Sequence, residues 1–459
     1  MAKVLGCGWS VFRFVSAANL YDNGGDCKLA SAGGVQPGVS RCRPQLASVN
    51  RRCRVGNVNQ PLAKERCLLV GWTLFLLTSL LPLGFRARSS ESPEEPVKAA
   101  KGGHGSNGPA QVTEPLDQLR ARADKGDARA QEALGRLYMV GRGVQVNAAE
   151  AAKWYRRAAE QGNAKAEYEL GALYALGMGL AKDSQQAGVW WRKAAEQGNV
   201  DAQTSLGTLY EEGDGVPKDS AQALKWYRQA AEQGDPTAQY NVGLRYREGN
   251  GVIKDTVEAA KWQRKAAEQG FVLAQTAIAS AYLSGMGVAK DAAEAAKWYR
   301  KAADQGDADA QELLGVMYAH GEGLPKDSAE ALKWYRKAAD QGNPKAQDEL
   351  GLCYYAGEGV TKDAVEAVKW FRKAAVQGLG SAQLNLGVCY ADGEGVAQGY
   401  VEAYKWFSLA AAQGDENAKV AKASLGQRMT PEQIGKAFRL AHGFKPTAAQ
   451  PPGASGPNR

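Results

Sequence analysis

Tryptophan recurs at Trp154, Trp190, Trp226, Trp262, Trp298, Trp334, Trp370 and Trp406, a spacing of 36 residues without one slip. A fixed period of that length is the mark of a solenoid, in which each supersecondary unit buries its apolar face only against its neighbours. Other positions keep the same register. A glycine stands at Gly135, Gly171, Gly207, Gly243, Gly315, Gly351 and Gly387, with Ala279 as the exception, and a tyrosine follows three residues later from Tyr138 to Tyr390.

Each unit reads as two helices. The first opens after Asp127, Asn163, Asn199, Asp235, Asp307, Asn343 and Asp415, whose side-chain oxygens can accept an orphan backbone N–H, while Phe271 and Leu379 break the rule. The second opens on pairs such as Asn147 with Glu150 and Asp255 with Glu258, and this pattern predicts a reciprocal capping box. Gly399 with Glu402 is a weaker version of it. A G-x-G turn joins the helices, and Gly162 and its equivalents, to Gly414, suit a left-handed cap at the unit's end. Glycine inside a helix costs about 1 kcal/mol against alanine, so its repetition at position 135 predicts a close neighbour, with the Trp ring expected over it. The eight tryptophans are therefore assigned to the core.

Charge and cysteine are concentrated outside this array. Residues 1–100 hold 13 basic and 6 acidic side chains, residues 101–459 hold 44 and 43. The near-neutral body excludes a nucleic-acid-binding domain, and 44% hydrophobic residues exclude both a disordered chain and a multi-span membrane protein. Five of seven cysteines precede residue 68, so the body has no disulfide framework. Residues 1–66 lack periodicity and are expected to be a disordered basic tail, with a translation start nearer residue 60 as the alternative. From Cys67 to Phe85 run 19 uncharged residues, enough for one transmembrane helix. Basic residues upstream predict a cytoplasmic N-terminus and a repeat domain outside the cytoplasm. A signal sequence, with a secreted or periplasmic product, is the other reading. Residues 86–112 read as a flexible linker, 113–443 as the repeat domain with a C-terminal capping helix, and 444–459 as a disordered tail.

Catalytic, cofactor and metal motifs are missing from the sequence: no P-loop, HExxH, G-x-S-x-G, S-x-x-K or CxxC is present. The three histidines, at 104, 320 and 442, are too few and too scattered for a metal site or triad. Cys353 and Cys389 occupy the register of Leu137, Leu173 and Leu209, which predicts buried aliphatic substitutes too far apart for a disulfide. No enzyme activity and no cofactor are therefore expected.

Units such as GNPKAQDELGLCYYAGEGVTKDAVEAVKWFRKAAVQG resemble the Sel-one-like repeat (SLR) family, relatives of the tetratricopeptide repeat (TPR). The resemblance implies an all-α, right-handed superhelical solenoid of antiparallel helix pairs, here preceded by one transmembrane helix. It implies a scaffold or adaptor for a protein or peptide partner, in bacteria often at the cell envelope. Some secreted members resemble β-lactamases or penicillin-binding proteins and carry a cysteine pair in every repeat, which this chain lacks; a β-lactamase-like or cell-wall-binding hydrolase is the enzyme alternative. A cytoplasmic signalling adaptor is the third possibility.

Across the copies, the first helices vary most at positions 132, 136, 139 and 140, on one face. That face offers Arg136, Tyr168, Tyr240, Arg247, Glu312, Asp348 and Tyr355 as candidate partner contacts, Tyr and Arg being enriched at interface hot spots. The core assignment of the tryptophans is directly testable. Trp298→Ala should lower stability by about 3–5 kcal/mol, and an unchanged denaturant midpoint would place the ring in solvent as a ligand contact.

Overall fold

The computed structural model describes residues 115–447, and every regular element there is helical, nineteen helices among the described residues. A lone helix α1 (Leu116–Asp124) precedes eight pairs. These are α2 and α3 (Ala128–Val140, Ala148–Glu160), α4 and α5 (Ala164–Leu176, Ser184–Glu196), α6 and α7 (Val200–Glu212, Ser220–Glu232), and α8 and α9 (Pro236–Glu248, Thr256–Glu268). Then come α10 and α11 (Val272–Ser284, Ala292–Asp304), α12 and α13 (Ala308–His320, Ser328–Asp340), α14 and α15 (Pro344–Ala356, Ala364–Val376), and α16 and α17 (Gly380–Asp392, Tyr400–Ala412). Helices α18 (Glu416–Gly426) and α19 (Pro431–His442) follow the last pair. Each helix packs against its hairpin partner and against the next helix in the chain, as a solenoid requires.

The first-helix caps form as their chemistry dictates: Asp127, Asn163, Asn199, Asp235, Asp307, Asn343 and Asp415 all accept backbone N–H groups, and Phe271 and Leu379 make no side-chain cap. The second-helix capping boxes are only half made. Asn147 accepts the Glu150 N–H, but its own N–H goes to the Tyr138 carbonyl at 2.9 Å. The same backbone bond recurs in every unit, from Asp183 with Tyr174 to Gly399 with Tyr390. With that donor already satisfied, the glutamates turn outward, as in Glu150 with Lys153 at 2.8 Å and Glu258 with Lys261 at 3.1 Å. The full reciprocal box forms at Thr430 and Gln433, where no hairpin carbonyl competes.

The ring over the helical glycine belongs to the residue after the tryptophan. A Cβ added at Gly135 would stand 2.8 Å from the Tyr155 ring, at Gly315 2.6 Å from Tyr335, and at Gly351 2.6 Å from Phe371. The tryptophan instead points back into the preceding unit. Trp154 clusters with Leu119 and Ala123 of α1 and with Ala130, Leu134 and Leu137 of α2. Trp154, Trp226, Trp262, Trp298, Trp334, Trp370 and Trp406 are 4–8% exposed. Trp190 departs from the stripe and is only partly buried. Its neighbour Trp191 is buried, lies over Gly171 and donates its indole N–H to the Tyr168 carbonyl at 3.1 Å.

The second glycine of the G-x-G turn is also a close approach. At Gly179 an added Cβ would meet the Ala148 carbonyl oxygen at 2.5 Å, so the turn of one unit lies on the start of the preceding unit's second helix. A side chain there would push the two units apart.

At the C-terminal end, residues 444–447 are not the free tail expected of them. Phe444 meets the Trp406 ring edge-on with centroids 5.6 Å apart, and Thr447 donates its backbone N–H to Val376 at 2.9 Å. Leu409 stands where the units of Trp298, Trp334 and Trp370 carry a lysine over the ring, and Trp406 is covered instead by Phe444 and by Lys405, 4.4 Å from its centroid. Among the described residues no helix is long and apolar enough to cross a membrane. The Cys67–Phe85 segment, the tail before it and the 86–112 linker lie outside those residues, as do residues 448–459.

The glycine register separates close packing from simple helix propensity. Gly315→Ala should cost about 1–3 kcal/mol through overpacking against Tyr335. Ala279→Gly, at the one register position that already carries a methyl group, should cost only about 1 kcal/mol. Urea midpoints of the two variants check this, and an unchanged midpoint for Gly315→Ala would show that ring and helix separate freely.

Candidate interaction surface

Much of the constant chemistry of each unit holds it to the next. Gln161 donates to the Gln131 side-chain oxygen at 2.7 Å, and Gln131 donates to the Ala123 carbonyl at 3.0 Å. This buried amide ladder repeats through Gln233 with Gln203, Gln341 with Gln311, and Gln377 with Gln347. Glu167 interrupts it, accepting from Gln197 at 2.6 Å. Outside the ladder, Arg156 donates to the Tyr174 hydroxyl at 2.6 Å and Arg372 to Tyr390 at 2.8 Å, with Arg192, Arg228, Arg264, Arg300 and Arg336 doing the same to the next unit's tyrosine. Lys301, Lys337 and Lys373 lie 3.6–3.8 Å from the ring centroids of Trp298, Trp334 and Trp370. The cation covers the outer edge of a buried indole while its ammonium stays wet.

These commitments occupy many of the basic residues of the second helices, while Lys153, Lys261, Lys297, Lys333 and Lys369 stay exposed beside glutamates three residues earlier. The first helices differ: the eight of them hold 12 acidic and 6 basic side chains, against 12 acidic and 20 basic in the eight second helices. The two layers of the solenoid therefore carry charge excesses of opposite sign.

The seven candidate contacts fall on the first-helix layer, but four of them face the next unit. Tyr168, Tyr240, Glu312 and Asp348 share one register. Tyr168 bonds Ser205, and Tyr240 meets Phe271 with ring centroids 5.5 Å apart. Asp348, 5% exposed, accepts from Ser381 at 2.6 Å and from Asn385 at 2.9 Å. Glu312 is 7% exposed. Tyr168, Tyr240 and Asp348 are each matched to the next unit, and Asp348 and Glu312 are buried, so these two offer a partner little area. Of the others, Arg136 is half-buried, Arg247 is partly open beside Glu248, and Tyr355 donates to Glu394 of the following turn at 2.6 Å.

One buried network escaped the sequence reading. Arg245 stands at the Leu137 register and pairs with Glu211, which also accepts from the Tyr227 hydroxyl at 2.9 Å, and Tyr227 in turn bonds Thr208 at 2.9 Å. An arginine where other units place Leu, Ala, Met or Cys was its visible signal. Cys353 and Cys389 are unpaired, half-buried and buried, and burial pushes both thiols up to about 12, which leaves them unreactive. His320 bonds the Val316 carbonyl at 3.0 Å, and no group of residues fit to hold a metal occurs among the described residues.

Burial also moves carboxyls on this layer. Glu169 and Glu312 are pushed up to about 7, first by desolvation and then by neighbouring carboxylates, and Asp348 to about 6 by desolvation. A carboxyl that holds its proton more tightly when folded contributes stability below its unfolded pKa and loses it as pH rises through the folded value. The array should thus weaken between about pH 4 and pH 7 through these groups. Glu312→Gln should match the parent at pH 4 and exceed it at pH 8 by about 1–3 kcal/mol, as read from urea midpoints. Equal midpoints at pH 8 would mean that Glu312 ionises freely.

The comparisons with known proteins agree with this architecture. The family model for the Sel1 repeat matches residues 128–163, 164–199, 200–235, 236–271, 272–307, 308–343, 344–379 and 380–415. Each match spans one first helix, one second helix and the next cap. A Sel1 repeat protein from Oxalobacter formigenes is similar at 36% identity, over 73% of this chain and 98% of its own, with a TM-score of 0.54. The SLR-fold protein c5321, a protective antigen of uropathogenic Escherichia coli strains, is 32% identical over 72% of this chain and 94% of its own, with a TM-score of 0.47. No curated protein matches the chain. With eight contiguous repeats and this helix-pair geometry, the chain belongs to the Sel1 repeat family.

Proposed function

We propose that this protein is a non-enzymatic scaffold that binds a protein or peptide partner on its first-helix layer. The observation that carries this reading is the division of labour between the layers. The second helices spend their constant Trp, Tyr, Arg and Lys residues on cohesion. The first helices keep a varied face with an acidic excess. Such a face suits stoichiometric recognition, with Arg136, Arg247 and Tyr355 as its more open members. The Cys67–Phe85 segment would serve as the single anchor that holds the array outside the cytoplasm, at the cell envelope.

Photo-crosslinking residues at Arg136 and Arg247 of the full chain, expressed in its own cell, should each trap a discrete partner. The same residue at Lys261, on the second-helix layer, should trap none. Crosslinks confined to Lys261 would overturn the assignment of the face. Turnover of a chromogenic β-lactam, abolished by one point substitution, would overturn the non-enzymatic reading. A C-terminal reporter active only outside the cytoplasm should be active, and activity of its cytoplasmic counterpart instead would refute the anchor.

A further inference from the structure

Residues 444–447, beyond α19, are held on the array by contacts that the earlier units do not make. Phe444 meets Trp406 edge-on, with ring centroids 5.6 Å apart. Pro446 lies over Gly378, its ring carbons 3.4 and 3.5 Å from where a Cβ would stand, whereas the equivalent Gly162, Gly198, Gly234, Gly270, Gly306 and Gly342 face open space. Thr447 donates its backbone N–H at 2.9 Å and its hydroxyl at 3.3 Å to the Val376 carbonyl. Val376 ends α15, where a helix leaves its carbonyls without intrahelical partners.

The surface beneath this segment departs from the repeat at three registers together. Val376 stands where the six preceding units carry Glu or Asp, and Leu409 where six of the seven earlier units carry Lys or Arg. Leu379 stands where every other unit except that of Phe271 carries Asn or Asp, and α16 loses its side-chain cap. All three side chains are partly buried in the apolar cluster that holds Trp406 and Phe444. Shielding the tryptophan does not require these exchanges. Trp298, Trp334 and Trp370 are 4–7% exposed with a lysine over each ring, and Trp406 has Lys405 at 4.4 Å. The segment on this apolar seat is also lightly held: Phe444 is half-buried, and Lys445, Pro446 and Thr447 are exposed. A short exposed segment of this kind opens at low cost while the helices stay folded.

We infer that the seat made by Val376, Gly378, Leu379, Trp406 and Leu409 is a docking site for an extended segment of a partner protein, carrying an aromatic residue, a proline two positions on and Ser or Thr directly after it. Residues 444–447 occupy the seat as an internal stand-in and display that chemistry: a ring against the indole edge, a pyrrolidine in the space left by Gly378, and an N–H and hydroxyl on the carbonyl that ends α15. The tether gives the stand-in an effective concentration of about a millimolar, so a partner segment must displace it to bind. This inference rests on the scaffold reading above and adds to it a second site, on α15 and α17.

The test uses the full chain. Phe444→Ala with Thr447→Pro removes the ring and both donors and should open the seat. A fluorescein-labelled Gly-Ser octapeptide carrying Tyr-Ser-Pro-Thr should bind this open variant, as read by anisotropy, and should bind the parent at least about tenfold more weakly because the tethered segment competes. Replacing the peptide's Tyr with Ala should abolish binding. Adding Leu409→Lys and Val376→Glu to the open variant, which restores residue types that earlier units carry, should abolish it as well, and urea midpoints will show that both variants are folded. In the parent, saturating peptide should speed chymotrypsin cleavage after Phe444. No binding to the open variant, equal binding by parent and open variant, binding that survives either loss, or unchanged cleavage would overturn the inference. So would a mixed dimer in which the open variant takes up the parent's segment instead of the peptide, since the seat would then serve exchange between copies. The scaffold reading would still stand if Arg136 and Arg247 trap a partner, so the two failures are distinguishable.

Discussion

Two adjacent side chains on each second helix point to opposite neighbours, and the rest of the array depends on that pair. The tryptophan enters the core made by its own first helix and the preceding unit. The next residue covers its own unit's helical glycine and reaches the following unit: Tyr155 packs with Ala166, Leu170 and Leu173. No unit can then be complete alone, and the ends need special parts. At the start, α1 supplies Leu119 and Ala123 to receive Trp154. At the end, Leu425 and Met429 receive Phe407, and Phe444 covers Trp406. The terminal helices are therefore part of the solenoid's core, as end caps of repeat arrays must be.

The polar contacts follow from the same geometry. Once aromatic rings set the spacing between units, glutamines about 30 residues apart meet at one height and form a continuous ladder. The ladder satisfies amides that would otherwise be buried without partners. The arginine two residues after each tryptophan reaches the next tyrosine hydroxyl on the other side of the same junction. Hydrophobic spacing and polar matching thus agree at each interface, and one 36-residue pattern can be reused eight times.

Much of this was legible in the sequence because periodicity reports constraint directly. Trp298, Gly315, Asp307 and Gly306 could each be assigned to core, close approach or cap from residue type and register alone. Periodicity does not report the partner. It could not tell whether Trp334 or Tyr335 lay over Gly315, since neighbours on a helix differ by 100° and only the packed interface chooses. The half-made capping boxes were hidden for a related reason: the Asn147 N–H is taken by the Tyr138 carbonyl, a backbone bond that no side-chain pattern encodes. Variation marked Tyr240 and Asp348 as candidate partner contacts, whereas Tyr240 meets Phe271 and Asp348 is bonded to Ser381 and Asn385 of the next unit.

That distinction gives the unmatched positions their weight. In a repeat array every junction solves the same problem, so one junction serves as the control for another. Asp348 shows that a carboxylate at this register can be satisfied by small polar neighbours, and Tyr227 shows that the phenol can be as well. Glu312 and the Tyr335 hydroxyl lack these solutions, as does Gln263 Nε2 at the register of Tyr227, while the amide ladder and the arginine–tyrosine contact beside Glu312 and Tyr335 are intact. An array of near-identical junctions can carry such local deficits, because each unit is also held by its neighbours' aromatic and amide contacts, and stability is a sum over all of them.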